Sequence, residues 1–154
     1  VHSQVHKGQH FFITASTANA SATDILGIVL TTPATKRVHF VDEFGGSAAV
    51  IHTLVENPTV ANTSKVALVE FNNDRESTKA AGVVAVTISD TDVSGGTTLQ
   101  KHVLGGGLQG RTGGNLTARA ELNLKQSEDY YISIASDGAN NDISYLGLWY
   151  EIDS

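Results

Sequence analysis

The chain of 154 residues contains neither cysteine nor methionine. Without cysteine it can form no disulfide and no thiolate metal site, so its stability depends on core packing or on association with other chains. It also lacks a long hydrophobic run: no apolar stretch approaches the roughly 18 residues that a membrane-spanning helix needs. The sequence therefore predicts a domain that does not cross a membrane.

Basic residues are few as well. Ten lysines and arginines stand against sixteen aspartates and glutamates, and the formal net charge is −6. Nucleic acids and anionic membrane surfaces attract basic proteins, so this charge argues against either as a partner. It leaves open docking on a basic patch of another protein. Hydrophobic residues make up 40% of the chain and charged residues 17%, which is typical of one globular domain.

Apolar residues recur with a period of two, as they do in a half-buried strand. In Arg37–Phe44, for example, Val38 and Phe40 share one face. The clearest alternation is at residues 116–124, where the inward positions are predicted to be Leu116, Ala118, Ala120, Leu122 and Leu124. Further strands are predicted at His10–Ala15, Ile25–Thr32, Ala48–Val55, Thr98–Leu104, Asp129–Ala135 and Ser144–Ile152.

Two runs are apolar without alternation, Val66–Phe71 and Gly82–Ile88. Such runs are typical of strands that are buried on both faces. The Ala- and Ser-rich run Ala15–Thr23 is predicted to be a loop, with a short helix as the alternative. Glycine-rich clusters such as Phe44–Ser47 and Ser94–Gly96 are predicted to be turns, because glycine readily adopts a positive φ.

About ten strands separated by turns predict an all-β domain, an antiparallel two-sheet sandwich. A jelly roll is the leading topology, and another Greek-key sandwich is the next. The sandwich is predicted to span residues 10–154, after an N-terminal arm of residues 1–9. The segment Gly105–Asn115 is dominated by glycine, and a loop of that length is usually either mobile or functional.

Histidines offer the first candidate site. His2, His6 and His10 recur every four residues, which on a helix would place three imidazoles on one face, as a zinc site needs. On a strand, neighbours in this series would lie about 13 Å apart, too far to share an ion. They are predicted to be surface or interface histidines. The histidines within strand patterns are predicted to be structural: His39, His52 and His102.

Other constellations carry no clear chemistry. Asp90–Asp92 and Asp137–Asp142 resemble fragments of calcium loops but lack the full oxygen pattern and its closing glutamate. The chain has no G-x-S-x-G nucleophile motif and no phosphate-binding loop motif. The sequence therefore predicts a protein that is not an enzyme and that binds no metal or cofactor.

The four tyrosines and the single tryptophan are concentrated in the last two predicted strands, and Trp149 and Tyr150 are adjacent. Because successive side chains of a strand point to opposite faces, one of the two should face the core and the other should face out. The interpretation we favour is an aromatic edge of the core. An exposed ring could instead stack on a sugar or anchor an interface.

Several stretches resemble a family of small virion proteins of tailed bacteriophages. They are Val5–Phe12, the Asn-rich stretch Phe71–Ser77, the glycine-rich loop Gly105–Asn115, Ala120–Gln126, and the aromatic strands Tyr130–Ile134 and Leu148–Glu151. The resemblance spans nearly the whole chain through short, degenerate motifs. Asp74 departs from the family's Asn-rich stretch and would change the charge of a contact made there.

The resemblance implies a capsid decoration, or cement, protein. Such a protein would bind the major capsid protein on the outer surface of the head, often as a homotrimer, and would stabilise the shell without catalysis. Its interface is predicted to include His2, Val5, His6, Asn72, Asn73, Asp74, Arg75 and Arg111. The alternative is a carbohydrate- or receptor-binding module of a phage fibre or tail, which rests on analogy between folds.

Overall fold

The computed structural model describes Ser3, residues 6–105 and residues 121–154. It contains thirteen strands and one short 3₁₀ helix, Asp90–Asp92, in those ranges. The strands are β1 (His10–Ala20), β2 (Ile25–Thr31), β3 (Lys36–Gly46), β4 (Val50–Glu56), β5 (Thr59–Val60), β6 (Val66–Ala67), β7 (Phe71–Asn72), β8 (Val84–Ile88), β9 (Val93–Ser94), β10 (Thr97–Leu104), β11 (Leu122–Leu124), β12 (Asp129–Ser136) and β13 (Asn141–Asp153). No helix in the described ranges has the length and apolar content to cross a membrane.

The strands form two large sheets and one small one. The first sheet has the order β11-β3-β13-β1-β7, the second has the order β10-β4-β12-β2-β8-β6, and β5 pairs with β9. All of these pairs are antiparallel. The two large sheets pack face to face around one core. The predicted antiparallel two-sheet sandwich is therefore confirmed.

The pairing of the long strands follows a simple rule. Strand β1 pairs with β13, β2 with β12, β3 with β11 and β4 with β10. Each of the first four strands thus pairs with one of the last four, taken in reverse order. Strand β3 also pairs with β13, and β4 also pairs with β12. Strands β5 to β9 lie in the segment between β4 and β10: β7 extends the first sheet, β8 and β6 extend the second, and β5 pairs with β9.

Burial alternates along the strands as a sandwich requires. In β13, Ile143, Tyr145, Gly147, Trp149 and Glu151 are buried, whereas the residues that alternate with them are partly or fully exposed. Trp149 stacks on Phe11 in the core, with ring centroids 6.1 Å apart. The prediction that one of Trp149 and Tyr150 faces in and the other faces out is confirmed, with Trp149 inside.

Two predicted strands are not buried on both faces, and that prediction is wrong. Val66–Phe71 divides into the two-residue strands β6 and β7, which are edge strands of different sheets. Val66 and Val69 are each 63% exposed, because nothing described covers them. In β8, Val84 is 57% exposed while Ala85 is buried. Local apolarity cannot distinguish a central strand from a strand at the edge of a sheet.

Two boundaries also differ from the prediction. The run Ala15–Thr23 is neither a loop nor a helix in its first part, because β1 continues to Ala20 beside the 13-residue strand β13. Likewise β3 continues through Gly46, which pairs with Ile143, so no turn begins at Phe44. The turn at Ser94–Gly96 is confirmed, since Gly95 and Gly96 have φ values of 67° and 86°.

The strand predicted at residues 116–124 lies largely outside the described residues. The described part, Leu122–Leu124, forms β11 and pairs with β3. There Leu124 is buried and Asn123 is exposed, as the alternation predicts. The glycine-rich segment is described only at Gly105.

Candidate functional site on the outer face of the first sheet

The outer face of the first sheet carries a row of aromatic rings. Strand register places His10 opposite Tyr150 and Tyr150 opposite His39, on three adjacent strands. The Tyr150 ring stacks on His39 with centroids 4.5 Å apart and planes 9° apart. On its other side the His10 ring lies 6.5 Å away. The rings therefore stand side by side and cover one another's faces.

Glu121 ties two of these rings together. The Tyr150 hydroxyl donates to Glu121 Oε1 at 2.6 Å, and His39 Nδ1 lies 2.5 Å from the same oxygen. The hydrogen bond from Tyr150 is the main reason that the pKa of Glu121 is lowered. The same bond raises the pKa of Tyr150 to about 12, because ionised tyrosine could not donate it. Burial lowers the pKa of His10.

An apolar row lies beside the aromatic row. Phe12 pairs with Leu148, and Leu148 pairs with Val41, so their half-buried side chains point outward together. Phe71 of β7 stacks on Phe12 with centroids 5.3 Å apart. The guanidinium of Arg75 lies 5.3 Å from the centre of the Phe71 ring, as in a cation–π contact. We call this surface the aromatic face; it consists of His10, Phe12, His39, Val41, Phe71, Leu148 and Tyr150.

The predicted interface stretch Asn72–Arg75 forms one edge of the aromatic face. Asn72 is buried, and its amide nitrogen donates to the carbonyls of Gly8 and Lys79 at 3.0 and 3.1 Å. Its side-chain oxygen accepts from Asp74 N at 2.9 Å. The Asn72 side chain is therefore occupied within the fold, and it holds the turn together. Arg75 is exposed and lies where a partner could reach it.

The other predicted interface residues are less close to one another. Asn73 contacts His10 through its backbone and through its side chain. His6 is exposed. His2, Val5 and Arg111 lie outside the described residues. His10 is only 8% exposed, so of the two alternatives predicted for it, surface or interface, a freely exposed surface histidine is wrong; the Asn73 side chain contacts its ring.

The end of the predicted arm is bound to the domain. Gly8 O accepts from Asn72, and Lys7 O accepts from Lys79 Nζ at 2.6 Å. A cavity of about 250 Å³ lies here, lined by Gly8, Gln9, Phe11, Lys36, Lys79, Ala80 and Asp153. Its two lysines already have partners, because Lys36 pairs with Glu151 and Lys79 with the Lys7 carbonyl. The cavity therefore presents no unpaired cation to a ligand.

Titratable groups elsewhere in the described ranges serve the fold. His52 is fully buried, its Nε2 lies 2.8 Å from Asp42 Oδ2, and Tyr145 donates to the same oxygen at 3.2 Å. The His52 ring also stacks on Phe44 with centroids 4.3 Å apart. Asp92, in one of the calcium-like fragments, accepts hydrogen bonds from Thr63 and Ser64. Among the residues that the structure describes, no three His, Asp or Glu side chains could hold a metal ion together.

Sequence reasoning missed the row of His10, Tyr150 and His39. The three residues lie 29 to 140 positions apart in the chain, and only strand register brings them together. The alternation of side chains predicts which residues of each strand face outward, but the sequence does not predict which strands are neighbours. Comparison with family models, with curated proteins and with solved structures finds no match. The geometry and the sequence patterns therefore carry the functional argument.

The role of Asn72 can be tested by replacement with alanine. Asn72→Ala leaves two backbone carbonyls and one backbone N–H without their side-chain partner at a site where Asn72 itself is buried. We expect a loss of about 2–3 kcal/mol in the free energy of unfolding, measured by urea titration. Asn123→Ala, on an exposed outward position of β11, should change it by less than about 0.5 kcal/mol. Equal effects of the two substitutions would contradict the structural role of Asn72.

The pH at which the tyrosines ionise tests the burial and the hydrogen bonds of these side chains in both sheets. The pKa values of all four tyrosines are raised, to about 12 for Tyr131 by burial and for Tyr150 by its bond to Glu121. In the unfolded chain the tyrosines lose their protons near pH 10. Their contribution to the free energy of unfolding is therefore fully present below pH 10 and falls as the pH rises toward 12. Ultraviolet titration of the folded protein should show almost no tyrosinate at pH 10. A tyrosine that titrates at 10 before unfolding would contradict these contacts.

Proposed function

We propose that the chain is a non-catalytic decoration protein of a tailed-bacteriophage head, which binds the major capsid protein through the aromatic face. The observation that carries this proposal is the outward row of Phe12, Leu148 and Val41 beside three aromatic rings. These apolar side chains are half-buried, and no further sheet is stacked on this face in the described part of the chain, although Asn73 contacts His10 at its edge. Contiguous apolar surface of this kind marks interaction sites.

The composition of the aromatic face suits a protein partner. Tyrosine, phenylalanine and arginine are enriched at protein interfaces, and a polar rim usually surrounds the apolar centre. Here the rim includes Arg75 at one edge and Glu121 at the other. The aromatic face and these polar residues together resemble a typical interface, in which surrounding contacts exclude water from a few central residues that contribute most of the binding energy.

Sugar binding has less support. A sugar ring stacks on a free aromatic face, but the faces of Tyr150 are flanked by His39 and His10. Phe71 likewise lies between Phe12 and the guanidinium of Arg75. Trp149 is buried in the core. The described aromatic residues thus leave no open platform, and a glycan-binding module is the weaker proposal.

The jelly-roll topology is also part of the proposal. Pairing of the first long strand with the last, the second with the second-last and so on describes a hairpin ribbon rolled into a sandwich. Jelly rolls of two four-stranded sheets recur in viral capsid and lectin domains. A homotrimer on the outer surface of the head follows from the resemblance of the sequence alone.

The proposal can be tested by adding the purified protein to heads of the encoding phage that lack it. We expect co-sedimentation with the heads and a saturating copy number set by the symmetry of the shell, measured by quantitative mass spectrometry. Saturation far below the number of equivalent sites, or no binding at all, would overturn the proposal.

A further inference from the structure

Among the described residues, one side of β1 is paired only at its beginning. It pairs with β13 along its length, but on the other side it pairs with β7 only at Phe11 and Phe12. His10 O accepts from Asn73 on the β7 side, whereas Gln9 O accepts from Glu151 on the β13 side. Because backbone groups alternate in direction along a strand, the N–H and C=O groups of residues 14 and 16 point to the open side. No described strand pairs with them there.

This edge lacks the usual protection against strand pairing. Proteins normally blunt a long edge strand with lysine, proline or a bulge. Strand β10, at the edge of the second sheet, carries Lys101 and a register shift between Thr98 and Gln100. In contrast, residues 11–23 contain no charged residue and no proline. Thr14 and Ser16 are exposed on β1, and its register with β13 shifts only after Thr17.

The second sheet provides a floor beside this edge. Strand β2 packs beneath β1, and the second sheet continues past β2 with β8 and β6. Register places Ile28 opposite Thr87 and Thr87 opposite Val66, so all three face the space between the sheets. Ile28 is buried, but Val66 is 63% exposed. Val66 is exposed because none of the described strands of the first sheet lies above it.

The open side of β1 and this floor together form a slot about one strand wide. We call it the edge slot, defined by Thr14, Ala15, Ser16, Val66 and Thr87. One end of the slot is closed by β7. Strands in a sheet lie about 4.8 Å apart, so β8 and β6 project about 10 Å beyond β2. A second copy paired through its own β1 would bring its β8 and β6 into the same space, which excludes an edge-to-edge dimer.

We infer that the edge slot takes one extended, uncharged segment of another protein chain, which joins the first sheet as an additional strand. The backbone groups of Thr14 and Ser16 provide hydrogen bonds, as in β-strand addition. Val66 and Ala15 provide apolar contact for alternate side chains of the segment. The neutral lining favours a segment without charges. This inference concerns a different surface from the aromatic face, and it does not depend on binding to a phage head.

The test uses the isolated protein and a short peptide of alternating threonine and valine with blocked ends. We expect the peptide to slow hydrogen exchange of the Thr14 and Ser16 amides, measured by NMR. Val66→Lys should weaken peptide binding at least tenfold, because it places a charge in the slot. Val69→Lys is the matched control, since Val69 is equally exposed but follows Leu68, which packs against the core. It should change binding less than twofold.

Two further reagents separate backbone pairing from other binding. Ser16→Pro removes the N–H that points into the slot without removing a bond to β13, and it should abolish binding, whereas Ser16→Ala should bind like the wild type. A peptide of alternating lysine and glutamate should not bind. The inference is overturned if millimolar threonine–valine peptide leaves Thr14 and Ser16 unprotected, or if the two lysine variants behave alike.

Discussion

Glu151→Gln is expected to destabilise the domain by about 3 kcal/mol, because it breaks a buried ionic network. Glu151 is fully buried in β13. Its carboxylate accepts from Gly82 N at 2.8 and 2.9 Å, from Val83 N at 3.0 Å and from Trp149 Nε1 at 3.1 Å, and Lys36 Nζ lies 2.9 Å away. Glutamine keeps the shape but offers one acceptor oxygen in place of two, and it leaves Lys36 without its counter-charge.

The measurement is the free energy of unfolding of Glu151→Gln by urea titration, with Glu76→Gln as the control. Glu76 is exposed, so its replacement should change the free energy of unfolding by less than about 0.5 kcal/mol. The loss at Glu151 should be accompanied by faster hydrogen exchange at Gly82 and Val83, which the carboxylate anchors. If the two substitutions lower the free energy of unfolding equally, this network does not hold the segment between β4 and β10 to the sandwich.

The second large effect is expected on binding to phage heads. Leu148→Lys places a charge at the centre of the aromatic face, between Phe12 and Val41. If this face docks on the shell, burying that charge should weaken binding at least 100-fold, since truncated or charged anchors typically cost several kcal/mol. Val103→Lys is the control, because Val103 is 66% exposed on β10 of the other sheet.

The free energies of unfolding of both variants should lie within about 1 kcal/mol of the wild-type value, because both positions are at least partly exposed. Co-sedimentation with heads that lack the protein gives the affinities. Normal binding by Leu148→Lys, with impaired binding by Val103→Lys, would show that the protein docks through the second sheet and not through the aromatic face.

The sequence predicts the class of fold well because alternation is a local signal. In β13 it correctly separates Trp149 from Tyr150, and in β11 it separates Leu124 from Asn123. The same rule places Glu151 on the inward side with Trp149, although a carboxylate is usually expected outside. Only the structure shows the backbone N–H groups of Gly82 and Val83 and the lysine that make this burial tolerable.

The sequence fails where the outcome depends on which strands are neighbours. Val66 appears apolar enough for a central strand, yet β6 is the last strand of the second sheet in the part of the chain that the structure describes. The run after Ala15 has weak strand signals, yet β13 holds it extended as far as Ala20. The aromatic face is likewise invisible in the sequence, since His10, His39 and Tyr150 meet only through register.

The most direct test of the proposed function is a cryo-electron microscopy reconstruction of intact heads of the encoding phage. The proposal predicts density for this sandwich on the outer surface of the shell, with Phe12, Leu148 and Tyr150 against the major capsid protein. A reconstruction that lacks the domain, or that shows the outer face of the first sheet turned to solvent, would contradict it.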